Sequence, residues 1–229
     1  MRCRAVVLAT GGLSTLYYPH TDTMRGNTGD GYALAARAGA ALVHMEQVQF
    51  TPFGMAGPSA FAGLPLGEAV LAGPRGRLLD GEGGLIAQDV NRLNRAQLAG
   101  LIGRALAEGR GTARGGVWLD LRGNLGDTQW EGWFRAHFAA VLRRVRRAWG
   151  PAAARFEQPW EVCPTAHYFM GGVQVDTRGE SAVSGLFAVG QVMGGLHGAN
   201  RLGSTSIPEL VIFGRRAARA AAAMPPAPA

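Results

Sequence analysis

Lysine is missing from this chain. All 23 basic side chains are arginine, set against 16 acidic ones, for a formal net charge of +7. A wholly arginine-borne charge fits a nucleic-acid partner, but high-GC coding bias is the simpler account. Only two cysteines occur, Cys3 and Cys163. They are too few and too far apart for a disulfide framework or a metal cluster, so two buried free thiols and no metal are expected. No apolar run approaches the ~20 residues that cross a bilayer, and no basic-then-apolar secretory start is present. The expectation is a cytoplasmic or peripheral protein. No internal repeat occurs. What the chain has in quantity is glycine, 35 of 229 residues, and apolar side chains, at 47%. Such a chain can bury a sizeable core and make many tight turns and close backbone approaches.

Arg4 to Leu8 reads as a buried strand running into the Ala9-Thr10-Gly11-Gly12 turn. Asp30 is expected to cap a helix from Gly31 to about Ala41 with its carboxylate, and Leu42 to Phe50 to form a strand. Residues 54–84 read as irregular. Helical spacing follows over Arg92–Glu108, then a short strand at Val117–Leu121, then one amphipathic helix over Thr128–Trp149, stopped by Gly150-Pro151. Arg143-Arg144 and Arg146-Arg147 fall on the polar face of that helix, which argues for a solvated face and no nucleic acid. Val173–Val175 and Leu186–Val189 read as strands, and a last helix as starting near Pro208 and running to about Ala222. Strand–helix segments flanking a mostly helical insert imply an α/β nucleotide-binding core in two pieces, with a cap inserted between them. The Pro- and Ala-rich tail from Met224 is expected to be disordered.

The segment His197-Gly-Ala-Asn200-Arg201-Leu-Gly-Ser204-Thr-Ser206-Ile207 puts a cation, hydroxyls and glycines in one turn before an apolar helix. That suits an anionic ligand held against a flat, phosphate-bearing cofactor. Ahead of it, in order, come Ala9-Thr10-Gly11-Gly12, Thr28-Gly29-Asp30-Gly31, Met45 to Phe50, Pro164 to Gly172 (with His167), and Gly185 to Gly190. This ordered set resembles the fumarate reductase/succinate dehydrogenase flavoprotein family, which includes L-aspartate oxidase. The resemblance covers roughly residues 1–53 and 161–222, and the insert only loosely.

The resemblance implies FAD as cofactor and hydride transfer between the flavin N5 and a small dicarboxylate or an amino-acid relative. It implies an α/β fold with an α+β cap: a partial Rossmann-like FAD-binding core at 1–53 and 161–222, a shortened capping domain at 54–160, and a tail at 223–229. Ala9, Thr10, Gly11, Gly12, Thr28, Gly29, Asp30, Gly190 and Gln191 would lie at FAD. Ser204, Ser206 and Ile207 would face the flavin ring, and Asn200 would support the turn. His167 and Arg201 would hold the carboxylates, the guanidinium as a bidentate fork.

Several positions depart from the family pattern. Thr51 stands where a substrate histidine is expected, and its hydroxyl can donate one hydrogen bond. Gly67-Glu68 replaces Thr-Glu, leaving Glu68. Gln88 stands where the family has its proton-donor arginine, and a neutral amide cannot serve as that acid; Arg92 or Arg95 would substitute if the helix is shifted by a turn. Gln191 replaces a glutamate but keeps hydrogen-bonding capacity. No Gly-x-Gly-x-x-Gly pyrophosphate turn occurs near the start, so the parallel sheet is expected to expose apolar edges. Two readings follow. One is part of an FAD-dependent oxidoreductase completed by a companion chain, cytoplasmic or peripheral on the inner membrane. The other is a non-catalytic flavoprotein-like remnant.

Overall fold

The computed structural model describes residues 3–225. In chain order the elements are β1 (Val6–Leu8), α1 (Asp30–Arg37), β2 (Leu42–Val43), β3 (Val48–Met55), β4 (Pro65–Gly67), β5 (Arg77–Leu79) and β6 (Leu85–Ala87). Then come α2 (Arg95–Ala107), β7 (Val117–Asp120), α3 (Thr128–His137), α4 (Ala139–Trp149), α5 (Pro151–Ala154), β8 (Trp160–Phe169), β9 (Gly172–Val173), β10 (Leu186–Ala188) and α6 (Ser206–Ala222). The chain divides into two compact units. The first joins Met1–Leu16, Thr23–Gln49 and His167–Ala229; the second joins Tyr17–Asp22 and Phe50–Ala166.

In the first unit β1 and β10 pair in parallel, Val6 opposite Leu186 and Leu8 opposite Ala188, and β2 pairs antiparallel with β9. Leu8, Tyr32, Ala35, Val173, Ala188 and Val192 form its core. Helix α6 adds Ala217, packed with Phe187 and Val189. Parallel strands are normally covered on both faces, yet Val6 and Val7 stand exposed, as do Ile207, Leu210 and Val211 of α6.

The second unit carries a six-stranded sheet in the order β4-β3-β8-β7-β5-β6. Phe53, Leu78, Leu119 and Val162 from the strands and Leu98, Ile102 and Phe134 from α2 and α3 fill one core. Asp120 is buried and paired with half-exposed Arg77 at 2.8 Å and Arg122 at 2.9 Å. Burial alone would raise that carboxyl, but the Arg122 guanidinium and backbone N–H, with the Arg77 guanidinium, more than offset it and hold it below the usual range.

Several elements differ from expectation. The helix expected over Thr128–Trp149 is broken at Phe138, whose backbone leaves the helical region (φ −119°, ψ 28°). Its ring lies 5.0 Å from Phe134 and 5.3 Å from Trp133, so the stripe continues across the break. The strand expected over Leu42–Phe50 is two strands, parted where His44 turns left-handed (φ 55°). Residues 54–84 are not irregular throughout: they hold β4 and β5. The second helix starts three residues late, at Arg95, because Asn94 and Gln97 form a reciprocal capping box. Strand β8 has no counterpart among the expected elements. Cys163 is buried but Cys3 is exposed, contrary to the expectation of two buried thiols. Burial pushes the Cys163 thiol up to about 12, so it stays protonated beside His20 Nδ1 at 3.2 Å. On α4, Arg143, Arg146 and Arg147 are exposed, while Arg144 reaches the Pro65 carbonyl. The expected disordered tail from Met224 falls largely at 226–229, outside the described residues.

Candidate functional site

Two turns meet at the carboxyl ends of the parallel strands. Chain leaving β1 passes Ala9 and Thr10, both exposed, and reaches Gly11 in the left-handed region (φ 75°) and buried Gly12. Chain leaving β10 reaches Gly190 (φ 71°) and Gln191. A Cβ placed on Gly12 would stand 2.6 Å from the end of the Gln191 side chain, so glycine here lets that amide lie against the turn. Val189 N–H donates to the Leu8 carbonyl at 2.9 Å, and Gly29 N–H to that of Gly12 at 3.1 Å. Ligands of open α/β sheets bind at strand carboxyl ends such as these.

The start of α1 differs from expectation. Its cap is Gly29, left-handed at φ 83°, and no side chain caps the helix. The Asp30 carboxylate instead accepts from the Thr28 hydroxyl at 3.0 Å. Thr28 and Asp30 are therefore exposed polar groups at a helix N-terminus, the end whose amides lack intrahelical partners.

Arg201 is 5% exposed. Its carbonyl accepts from Gln49 Nε2 at 2.8 Å, and the same nitrogen donates to Asn200 Oδ1 at 3.1 Å. Its Nη1 donates to the Leu202 carbonyl at 3.0 Å. The guanidinium carbon lies 4.6 Å over the ring of Tyr168, the neighbour of half-buried His167 on β8. Ser204 takes a left-handed turn (φ 65°). Ser206 and Ile207 open α6, which has no side-chain cap. Tyr168 adjoins Arg201, and Glu209 and His197 adjoin Tyr168, without having been expected there; the only signal for them in the sequence is their place in or beside the ordered motifs.

In the second unit Glu68 grips Arg95 through both oxygens, at 2.6 and 3.1 Å. Gln88 is exposed just after β6, and the structure does not bring it to that pair. Arg92 is exposed as well. The Thr51 hydroxyl donates to the Thr165 carbonyl at 3.2 Å, which commits it to the main chain. Among the described residues no cluster of three or more His, Cys, Asp or Glu side chains could hold a metal. Among them no helix is long and apolar enough to cross a membrane.

Glycine turns at the ends of parallel strands, followed by a small-residue turn holding a buried arginine, define a nucleotide-cofactor protein. A family model described as an FAD binding domain matches residues 1–207. One polypeptide of the CoM/CoB fumarate reductase of Methanothermobacter marburgensis is 40% identical over 228 residues, covering 96% of this chain and 39% of that protein. L-aspartate oxidase of Mycobacterium leprae is 38% identical over 223 residues, covering 96% of this chain and 40% of that one. The solved structure of Mycobacterium smegmatis Sdh1 in complex with UQ1 matches with a TM-score of 0.79 at 35% identity, covering 97% of this chain and 37% of that chain. The chain belongs to the FAD-binding flavoprotein family of fumarate reductase, succinate dehydrogenase and L-aspartate oxidase. It spans about two fifths of the length of the curated relatives it matches.

The residues present fit FAD, the cofactor of this family. Gln191 Nε2 is a buried donor without a hydrogen-bond partner among the described residues, beside glycines that leave backbone open to a ligand. A buried unpaired donor costs about 1–3 kcal/mol. Gln191→Leu is therefore expected to raise the melting temperature of the apo chain while lowering its affinity for FAD. Differential scanning fluorimetry with and without FAD checks both signs, and a lower apo melting temperature would show that Gln191 already has its partner.

Proposed function

We propose that this chain carries the cofactor-flanking and substrate-holding parts of an FAD-dependent oxidoreductase acting on a small dicarboxylate such as fumarate or succinate, or on an amino-acid relative such as aspartate. The single observation that supports this best is Arg201: a buried guanidinium fixed from its main chain and its π face, in the motif that precedes α6. FAD, when bound, supplies the centre that takes up or gives up hydride. Ala9, Thr10, Gly11, Gly12, Gly190 and Gln191 would hold it by backbone approach and hydrogen bonds, with Thr28, Gly29 and Asp30 at the α1 N-terminus. Asn200, Ser204, Ser206 and Ile207 would bound the flavin ring.

Arg201 presents two parallel N–H donors to one carboxylate, and His167 adds a donor to the ligand. For the proton side we assign Arg95 rather than Gln88, because Glu68 holds its guanidinium in a fixed fork and an amide has no proton to give. Arg95→Gln is expected to lower turnover of the FAD-loaded protein by about 10²-fold or more while leaving dicarboxylate affinity unchanged. Steady-state rates beside a binding titration check the split, and unchanged turnover would remove Arg95 from the mechanism. We further propose the division 1–53 and 161–222 for the FAD core and 54–160 for the cap; the two compact units support it in outline, with residues 17–22, 50–53 and 161–166 grouped in the second unit. The exposed apolar edge of β1 supports packing by a strand from a companion segment, in a cytoplasmic or membrane-peripheral setting.

A second reading, binding without turnover, draws support from Thr51 and Gln88, which offer no acid or cation where the family pattern has them. Absorbance after incubation with FAD and gel filtration separates the two. A retained flavin band with turnover of fumarate, succinate or aspartate supports the oxidoreductase. A flavin band without turnover supports the binding reading, and a colourless protein rejects FAD binding by this chain alone.

A further inference from the structure

Behind Arg201 runs a buried chain of contacts within the first unit. The guanidinium carbon sits 4.6 Å over the Tyr168 ring centroid. The Tyr168 hydroxyl donates to Glu209 Oε2 at 2.8 Å. His197 Nε2 lies 3.1 Å from the same oxygen, and its ring stands edge-on to Tyr168 at 5.5 Å and 81°. Glu209 is 4% exposed. Burial first, and the Glu209 carboxylate next, push the Tyr168 hydroxyl far above its usual range, so it remains a donor at every physiological pH.

A buried carboxylate is costly unless it is paired and hydrogen-bonded. Glu209 gains a place in the first turn of α6, where the helix dipole favours negative charge. It also gains the Tyr168 hydroxyl and the His197 ring. In return the phenol is anchored in rotation, and donation to an anion enriches its π face. An electron-rich face attracts a cation, and a planar guanidinium stacks on it in a defined plane.

We propose that Tyr168 and Glu209 are positioning residues for Arg201: Glu209 fixes the Tyr168 ring, and the ring presets the plane of the guanidinium fork for a carboxylate. This rests on the reading of Arg201 as the carboxylate clamp. His197 meets Glu209 at that same oxygen. The gain is preorganisation, since a guanidinium already in plane loses less rotational freedom when it binds.

The test is calorimetric titration of malonate into the full chain, with thermal melts to show that each variant is folded. Tyr168→Leu removes the platform and is expected to weaken malonate binding about tenfold, the scale of a desolvated cation–π contact. Tyr168→Phe and Glu209→Met each release the ring and are expected to weaken binding less. Their double variant should lose no more than the worse single one, because both act through one hydroxyl. In an Arg201→Lys background Tyr168→Leu should cost almost nothing, since an ammonium has no plane to preset; a residue needed only for folding would cost the same in both backgrounds. If Arg201→Ala abolishes binding while Tyr168→Phe and Glu209→Met match the parent, or if their losses simply add, the positioning proposal is overturned. If the parent chain binds no malonate, or Arg201→Ala binds as the parent does, the clamp reading fails first and the proposal with it.

Discussion

Replacing Arg201 with alanine is expected to weaken malonate or fumarate binding by about a hundredfold or more. The size follows from what is removed. A guanidinium gives a carboxylate two parallel charge-assisted hydrogen bonds, each of roughly 1.5–3 kcal/mol, and no neighbouring side chain reproduces the fork. Its burial sharpens the effect, because a charge kept from water is screened less. The variant should still fold: the Gln49 bonds that hold this turn end on the Arg201 carbonyl and the Asn200 side chain, which alanine at 201 leaves in place. Isothermal titration of wild type and variant checks the loss, and circular dichroism checks the fold. Equal affinities would mean that the ligand is held elsewhere.

Phe134→Ala is expected to destabilise the second unit by about 3–5 kcal/mol, the range for emptying a buried aromatic site. Phe134 is fully buried. Its ring lies 5.3 Å from Trp130, 5.0 Å from Phe138, 5.1 Å from Phe156 and 6.0 Å from Trp160. Removing it leaves large rings around one void, and rings do not collapse into a void as flexible aliphatic chains do. Against a domain stability of about 5–15 kcal/mol, the loss should lower the melting temperature by on the order of 10 °C. Phe138→Ala should cost clearly less, since Phe138 is only half-buried. A denaturant series on both variants measures the difference, and equal losses would show that the cluster has no centre at Phe134. The same melt bears on chemistry, because Glu68 and Arg95 belong to this unit.

Much of this protein is written in short stretches of chain. Gly11, Gly29 and Gly190 need glycine for conformations set by their own backbone, and the ordered motifs around them carry the cofactor and the family. Helix α2 is local too: Asn94 and Gln97 stand three residues apart and cap it by themselves, although apolar spacing alone places its start three residues early, at Arg92. Other features have no local signature. Nearly all of β8 is buried, with Pro164 inside it, so neither alternation nor helical spacing marks it. The break at Phe138 hides within an unbroken apolar stripe, because packing on Trp133 and Phe134, not composition, decides the backbone there.

Sequence by itself determined the elements whose reasons lie within a turn or two of chain, and with them the class of cofactor. Only the tertiary structure decided which groups meet. Glu68 and Arg95 stand 27 residues apart, and Tyr168 and Glu209 stand 41 apart. Local propensity carries no information across such spans. The cost of burying a charge does: nearly buried Glu209 needed a donor, and the folded backbone determined which donor was within reach.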